Sequence, residues 1–134
     1  MEKPYVITFP KLGDSNVGYI SVAELEKSVP FEVKRIFWTY FTPENIIRGR
    51  HAHYHTQHVL IAVNGQITIT AEMPGGDIHR FVLSTPEQGL YIPPCVWPTM
   101  QYSHHAVQLA LASTEYTESD YIREYARFKE VWKK

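Results

Sequence analysis

The chain is poor in the features that place a protein in a specialised class. It has one cysteine, Cys95, in 134 residues, which excludes an internal disulfide framework, and no zinc-ribbon spacing is present. Charged residues make up only 20% and the net charge is −1, with the signs interspersed. No general basic field for DNA or RNA results. No apolar run approaches the roughly 20 residues of a membrane span. Met1-Glu2-Lys3-Pro4 leads into a short apolar run and not a long one, unlike a secretory signal, so the expected address is the cytoplasm. Internal repeats, low-complexity segments and linkers are also missing. What remains is one domain, 44% hydrophobic and able to bury roughly two-thirds of its unfolded surface.

Short β-type segments dominate what is there. Val6 to Phe9, Gly18 to Val22, Phe31 to Phe41, Val59 to Val63, Gln66 to Glu72, Ile78 to Leu83, Val96 to Tyr102 and Ala106 to Ala112 are rich in β-branched and aromatic residues and read as strands. Ser21 to Lys27 is expected to make a helical turn, with Glu24 as capping partner. Asn64-Gly65 is the strongest hairpin signal, since both residues accept positive φ. Pro74-Gly75-Gly76-Asp77 is another turn. Many short strands at regular spacing predict an all-β antiparallel sandwich or barrel over about residues 5–112. After Thr117-Glu118-Ser119-Asp120, the residues Tyr121, Ile122, Tyr125, Phe128, Val131 and Trp132 follow a helical period. They predict one C-terminal α-helix of about four turns, about 118–132, packed on the barrel wall.

The chemistry concentrates in Arg48-Gly49-Arg50-His51-Ala52-His53-Tyr54-His55-Thr56-Gln57. In an unbroken strand His51, His53, His55 and Gln57 share one face. Polar groups crowded on an inward face are costly unless paired or used. His58 has the opposite parity and is expected on the other face. His79, His104 and His105 read as solvated. A metal site is one reading of His-x-His, but the next same-face residue is the poor ligand Gln57, and the later strand carries Trp97-Pro98-Thr99-Met100 where another imidazole is needed. A second reading is a polar strand of solvated surface histidines, and the third is metal-free acid–base catalysis. Histidine, with a pKa near about 6.5, takes and gives protons at neutral pH. Two on one face, about 7 Å apart along the strand, could serve adjacent carbons, while neighbouring arginines hold a phosphate.

Three separated motifs carry a resemblance. Arg48-Gly49-x-His51-Ala52-His53 with Gln57, then Gly89-Leu90-Tyr91-Ile92-Pro93-Pro94-x-Val96-Trp97, then Ala112-Ser113-x-x-Tyr116-x-x-x-Asp120-Tyr121-Ile122-Arg123-x-Tyr125-x-x-Phe128 resemble the nucleotide-sugar 3,4-ketoisomerases, of the dTDP-4-keto-6-deoxyglucose type. Phe9-Pro10-Lys11-x-Gly13-Asp14 extends the likeness to the start of the chain. The resemblance implies a cupin-type antiparallel β-barrel (jelly roll), homodimeric, acting without metal or other cofactor. Its substrate would be a dTDP-linked 4-keto-6-deoxyhexose, whose carbonyl moves from C4 to C3 through an enediol. It implies that His51 and His53 are the proton-transferring pair, that Arg48 holds pyrophosphate or sugar oxygens, and that Tyr40 reaches the site from the preceding strand. Val17-Gly18 and Pro98-Thr99 depart from the pattern and leave the C4 configuration of the product open.

Gln57 is expected to orient a histidine or a sugar hydroxyl. Trp97 and Tyr102 could stack on the base or belong to the core, and Tyr91 is similarly divided. Cys95, without a neighbouring base, is not read as a nucleophile. Two other classes stay in play: a metal-dependent cupin enzyme (dioxygenase or epimerase-like) and a non-catalytic nucleotide-sugar-binding module.

Overall fold

A computed structural model describes residues 2–131. The strands, in chain order, are β1 (Tyr5–Thr8), β2 (Lys11–Asp14), β3 (Gly18–Ser21), β4 (Arg35–Thr39), β5 (Ile47–Gly49), β6 (Ala52–His53) and β7 (His58–Asn64). They continue with β8 (Ile67–Glu72), β9 (Ile78–Leu83), β10 (Gln88–Ile92), β11 (Trp97–Tyr102), β12 (Val107–Ala112) and β13 (Tyr121–Ile122), before the helix α1 (Tyr125–Glu130). A five-stranded antiparallel sheet in the order β1-β10-β7-β12-β4 faces a four-stranded one in the order β5-β11-β8-β9. Two small pairs, β13-β6 and β2-β3, complete the all-β architecture. Among the described residues the two main sheets are not hydrogen-bonded into one closed barrel.

Alternation along the strands fills the space between these sheets. Leu60, Ala62, Leu90 and Ala110 from one sheet meet Ile67, Ile69, Ala71 and Met100 from the other. The opposite faces of the same strands are covered too: Val59, Ile61, Tyr91 and Leu111 pack under Phe9, Val29 and Phe31. The run Val59-Leu60-Ile61-Ala62 is buried on both faces, which explains its unbroken apolar character.

Several local expectations give way to the topology. Asn64-Gly65 does not close a hairpin, because β10 and β12 already occupy both edges of β7. The turn instead carries the chain across to β8 in the other sheet. Gly65 has φ +73°, and a Cβ there would stand 2.8 Å from the Ala106 Cα, so only glycine fits. The Asn64 side-chain amide donates to the His105 carbonyl at 2.8 Å, and Gln66 N–H donates to Ser103 Oγ at 2.8 Å. Pro74 to Asp77 does close the β8–β9 hairpin. The long strand expected over Phe31 to Phe41 shortens to β4, ended at Phe41 by φ 58°. Ser21 to Lys27 forms turns about the Glu24 carbonyl and no helix.

The C-terminal helix is much shorter than its periodicity predicts. Glu118–Asp120 is one 3-10 turn, Tyr121–Ile122 is a strand on β6, and only Tyr125–Glu130 is α-helical. Asp120 is buried and its carboxylate is occupied by the backbone of the histidine stretch, so it cannot cap a helix. Ile122 and Phe128 still pack on Trp97 and Ala52, which preserves the apolar spacing in a different conformation. Trp132 lies outside the described residues.

Candidate active site

The site begins at a corner. Gly49 and Arg50 both have positive φ, 90° and 61°. A Cβ on Gly49 would lie 2.5 Å from the Pro98 carbonyl oxygen, so the chain can approach β11 this closely only through glycine. Arg50 N–H donates to that same oxygen at 3.0 Å. The corner ends β5 and turns His51 inward. His51 Nδ1 lies 3.1 Å from the Gly49 carbonyl. A carbonyl only accepts, so Nδ1 carries the hydrogen and Nε2 keeps a free lone pair.

His53 follows on β6, fixed by pairing with Tyr121 and by Cys95 N–H donating to its carbonyl at 2.7 Å. The His51 and His53 ring centroids are 5.1 Å apart, and the Tyr121 ring contacts both, at 5.1 and 4.3 Å. Arg123 stacks on Tyr121 at 4.2 Å from its centroid and makes a two-point ion pair with Glu118, 2.6 and 2.9 Å. This outer layer of Glu118, Tyr121 and Arg123 backs the histidines.

The chain then bends at Tyr54-His55. The Asp120 carboxylate accepts the N–H groups of His55 and Thr56 at 2.8 and 3.1 Å, and also the Thr56 hydroxyl. Because the stretch is not one continuous strand, its parity changes. His55 leaves for the surface, while His58 comes inside and stacks at 4.8 Å from His53. The expected row of three imidazoles and an amide is therefore replaced by His51, His53 and His58.

These rings form one end of a cavity between the sheets. Thr56, Leu60, Val96 and Met100 share its lining, as do Thr39, Tyr102, Gln108 and Arg48. Arg48 and Phe37 are exposed on the edge strands β5 and β4, which marks the mouth. Burial drives all three histidines towards neutrality. For His51 it outweighs the hydrogen bond to Gly49, with the Arg123 and Arg48 charges adding to the lowering. His53 is pushed down to about 4 by burial and then by His51, against the opposing pull of Asp120. Burial also holds His58 well below its usual value, with the charges of His53 and Arg35 contributing. Three neutral imidazoles can accept and return protons without first losing one to solvent. Among the described residues, no three His, Cys, Asp or Glu side chains converge as metal ligands.

Of the residues singled out from sequence, His51, His53, Arg48 and Tyr102 line one cavity. Four others do not. Trp97 faces outward on β11, because Pro98, Met100 and Tyr102 take the inward parity; it packs on Phe128, centroids 5.4 Å apart. Tyr91 is outward on β10, its hydroxyl donating to Gln57 Oε1 at 2.8 Å. That bond holds Gln57 behind the site, away from the lining. Tyr40 follows β4 at 55% exposure and stacks on Phe41; the inward positions of its strand belong to Phe37 and Thr39. The reading of the chain missed His58 and Gln108. Gln108 was legible as the only polar residue in Ala106-x-Gln108-x-Ala110-x-Ala112, whereas His58 required knowledge of the bend.

The chain has relatives of known structure and activity. A family model described as "FdtA: WxcM-like, C-terminal" matches residues 2–133. A TDP-4-oxo-6-deoxy-alpha-D-glucose-3,4-oxoisomerase of Aneurinibacillus thermoaerophilus is 38% identical over 125 residues, which covers 92% of this chain and 88% of that protein. QdtA, a sugar 3,4-ketoisomerase from Thermoanaerobacterium thermosaccharolyticum solved with TDP, superposes with a TM-score of 0.92 at 34% identity, covering 97% of this chain and 94% of its own. A histidine-to-asparagine mutant of QdtA, solved with TDP-4-keto-6-deoxyglucose, gives 0.91 at 32% identity over 97% and 94%. With a match along almost its entire length, the chain belongs to the FdtA: WxcM-like, C-terminal family.

Proposed function

We propose that this chain is a nucleotide-sugar 3,4-ketoisomerase acting on a TDP-linked 4-keto-6-deoxyhexose. The observation that carries the reading is a pair of neutral imidazoles, His51 and His53, with ring centroids 5.1 Å apart in a cavity whose wall includes Arg48. The hydrogen at C3 is acidified by the C4 carbonyl. His51, with Nε2 free, removes it as a proton, and the electron pair moves through C3–C4 onto the carbonyl oxygen, which takes up a proton to give the enediol. Collapse of the enediol gives back, from the C3 hydroxyl, the proton that O4 had taken up, while C4 takes a proton from His53. His53 is resupplied through solvent exchange by the proton His51 removed, so that both imidazoles end neutral. The carbonyl now stands at C3, and no net electrons or protons have been exchanged with anything else. Arg48, exposed at the mouth, meets the diphosphate.

A second copy of the chain completes this reading. β4 is a sheet edge that leaves Ile36 and Trp38 54% and 60% exposed, and the β2–β3 pair leaves Ile20 65% exposed. So much apolar surface favours a homodimer, checked by light scattering of the purified protein. Among the described residues no helix is long and apolar enough to cross a membrane, and the site of action proposed is the cytoplasm. The deciding experiment for the activity is NMR of TDP-4-keto-6-deoxyglucose incubated with the protein in deuterated water. The reading expects a 3-keto product with deuterium at C4. Binding without isomerisation or deuterium uptake above the buffer rate would reduce the protein to a sugar-binding module, and activity lost to a chelator and restored by iron, manganese or zinc would turn it into a metal enzyme.

A further inference from the structure

Strand β12 carries two kinds of side chain. Leu109 and Leu111 face outward into the cluster under Phe31, and Gln108, Ala110 and Ala112 alternate with them on the inner face. Two alanines leave room there, and the one long side chain beside them is polar. Gln108 is 3% exposed and lines the cavity. Among the described residues its Oε1 is buried with no hydrogen-bond partner. Its direct cross-strand neighbour is Thr39 on β4. A buried carbonyl oxygen left in this state destabilises the free protein, so an apolar residue would serve a purely structural role better.

We infer that Gln108 is a substrate-recognition residue whose side-chain carbonyl accepts a hydrogen bond from the C2 hydroxyl of the bound sugar. The inference rests on the ketoisomerase reading of the same cavity. An oxygen that only accepts must meet a donor, which rules out the diphosphate, a group made of acceptors. Desolvation points the same way: a diphosphate is held more cheaply beside exposed Arg48, leaving the neutral sugar for the interior. The C3 hydroxyl of a 4-keto-6-deoxyhexose is consumed as the carbonyl migrates. The C2 hydroxyl is then the sugar donor that persists from substrate to product. A partner waiting in the site also excludes analogues that lack it, because the buried acceptor then stays unpaired.

The test compares wild type with Gln108→Met on TDP-4-keto-6-deoxyglucose and on its 2-deoxy analogue, with TDP as competitive inhibitor. In Gln108→Met, KM is expected to rise roughly tenfold, the factor of one lost hydrogen bond, with kcat changed far less. TDP inhibition should be unchanged, and the thermal midpoint of the free protein equal or higher. Wild type should lose about the same factor on the 2-deoxy analogue, and the variant should not distinguish the two sugars. An unchanged KM, an equal loss of TDP affinity, or undiminished discrimination by the variant would each overturn the inference. If Gln108→Met fails to fold, equal kcat/KM of wild type on both sugars overturns it. Absence of wild-type turnover on the parent sugar is a different result, since it brings down the ketoisomerase reading itself.

Discussion

Strand β11 and the segment from Gly49 to His58 sit side by side and follow opposite rules. In β11, strict alternation sends Pro98, Met100 and Tyr102 inward and Trp97 outward. In the segment, two positive-φ residues and a bend replace alternation. Each departure is held by a specific partner: the Pro98 carbonyl at the corner and the Asp120 carboxylate at the bend. Regular strands supply a cavity wall, and the irregular segment supplies its chemistry. Three histidines converge because the chain there is not a strand.

The largest expected effect comes from removing that chemistry. His51→Asn and His53→Asn should each lower kcat by about 10²- to 10⁴-fold, the usual contribution of a positioned acid or base. Melting curves close to wild type would show that the loss is chemical. Next is the corner. Gly49→Ala forces a side chain into a left-handed backbone and towards the Pro98 carbonyl, and should destabilise by about 2–4 kcal/mol in urea titration. Little change would mean that the corner can relax and does not fix His51.

Acid tests the burial of the pair. Burial pushes His53 down to about 4 in the folded chain, against about 6.5 when unfolded. The unfolded chain therefore binds more protons between these values, so this contribution is complete above pH about 6.5 and disappears as pH falls to about 4. It amounts to about 3 kcal/mol at most, measurable as falling urea midpoints between those limits. A flat profile would place His53 in water. The smallest effect is reserved for the regular strand: Trp97→Phe should leave KM for the nucleotide sugar within about twofold, because Trp97 packs on Phe128 and an aromatic-for-aromatic change in a core mainly alters stability.

Much of this arrangement was visible in the sequence. Alternation gave the strands and both-face burial of β7, and motif likeness gave His51, His53 and Arg48. The failures share a cause. The unbroken histidine strand, the Asn64-Gly65 hairpin and the long helix were each judged from local pattern, while these segments are held by groups far away in sequence. Asp120 bonds His55 across 65 residues, and Tyr91 bonds Gln57 across 34. Asn64-Gly65 has hairpin chemistry, yet β10 and β12 take the edges a hairpin needs. Local signals carried conformation well where nothing distant competed for the same backbone groups.

The central claim is that His51 and His53 stand neutral together, with Nε2 of His51 free to take a proton. Long-range ¹H–¹⁵N spectra of the imidazoles across a pH series test it without substrate. The account predicts His51 as the Nδ1-protonated tautomer, with its midpoint below about 6.5, and His53 uncharged down to about 4. A protonated imidazolium at either position at pH about 7, or His51 carrying its hydrogen on Nε2, would contradict it.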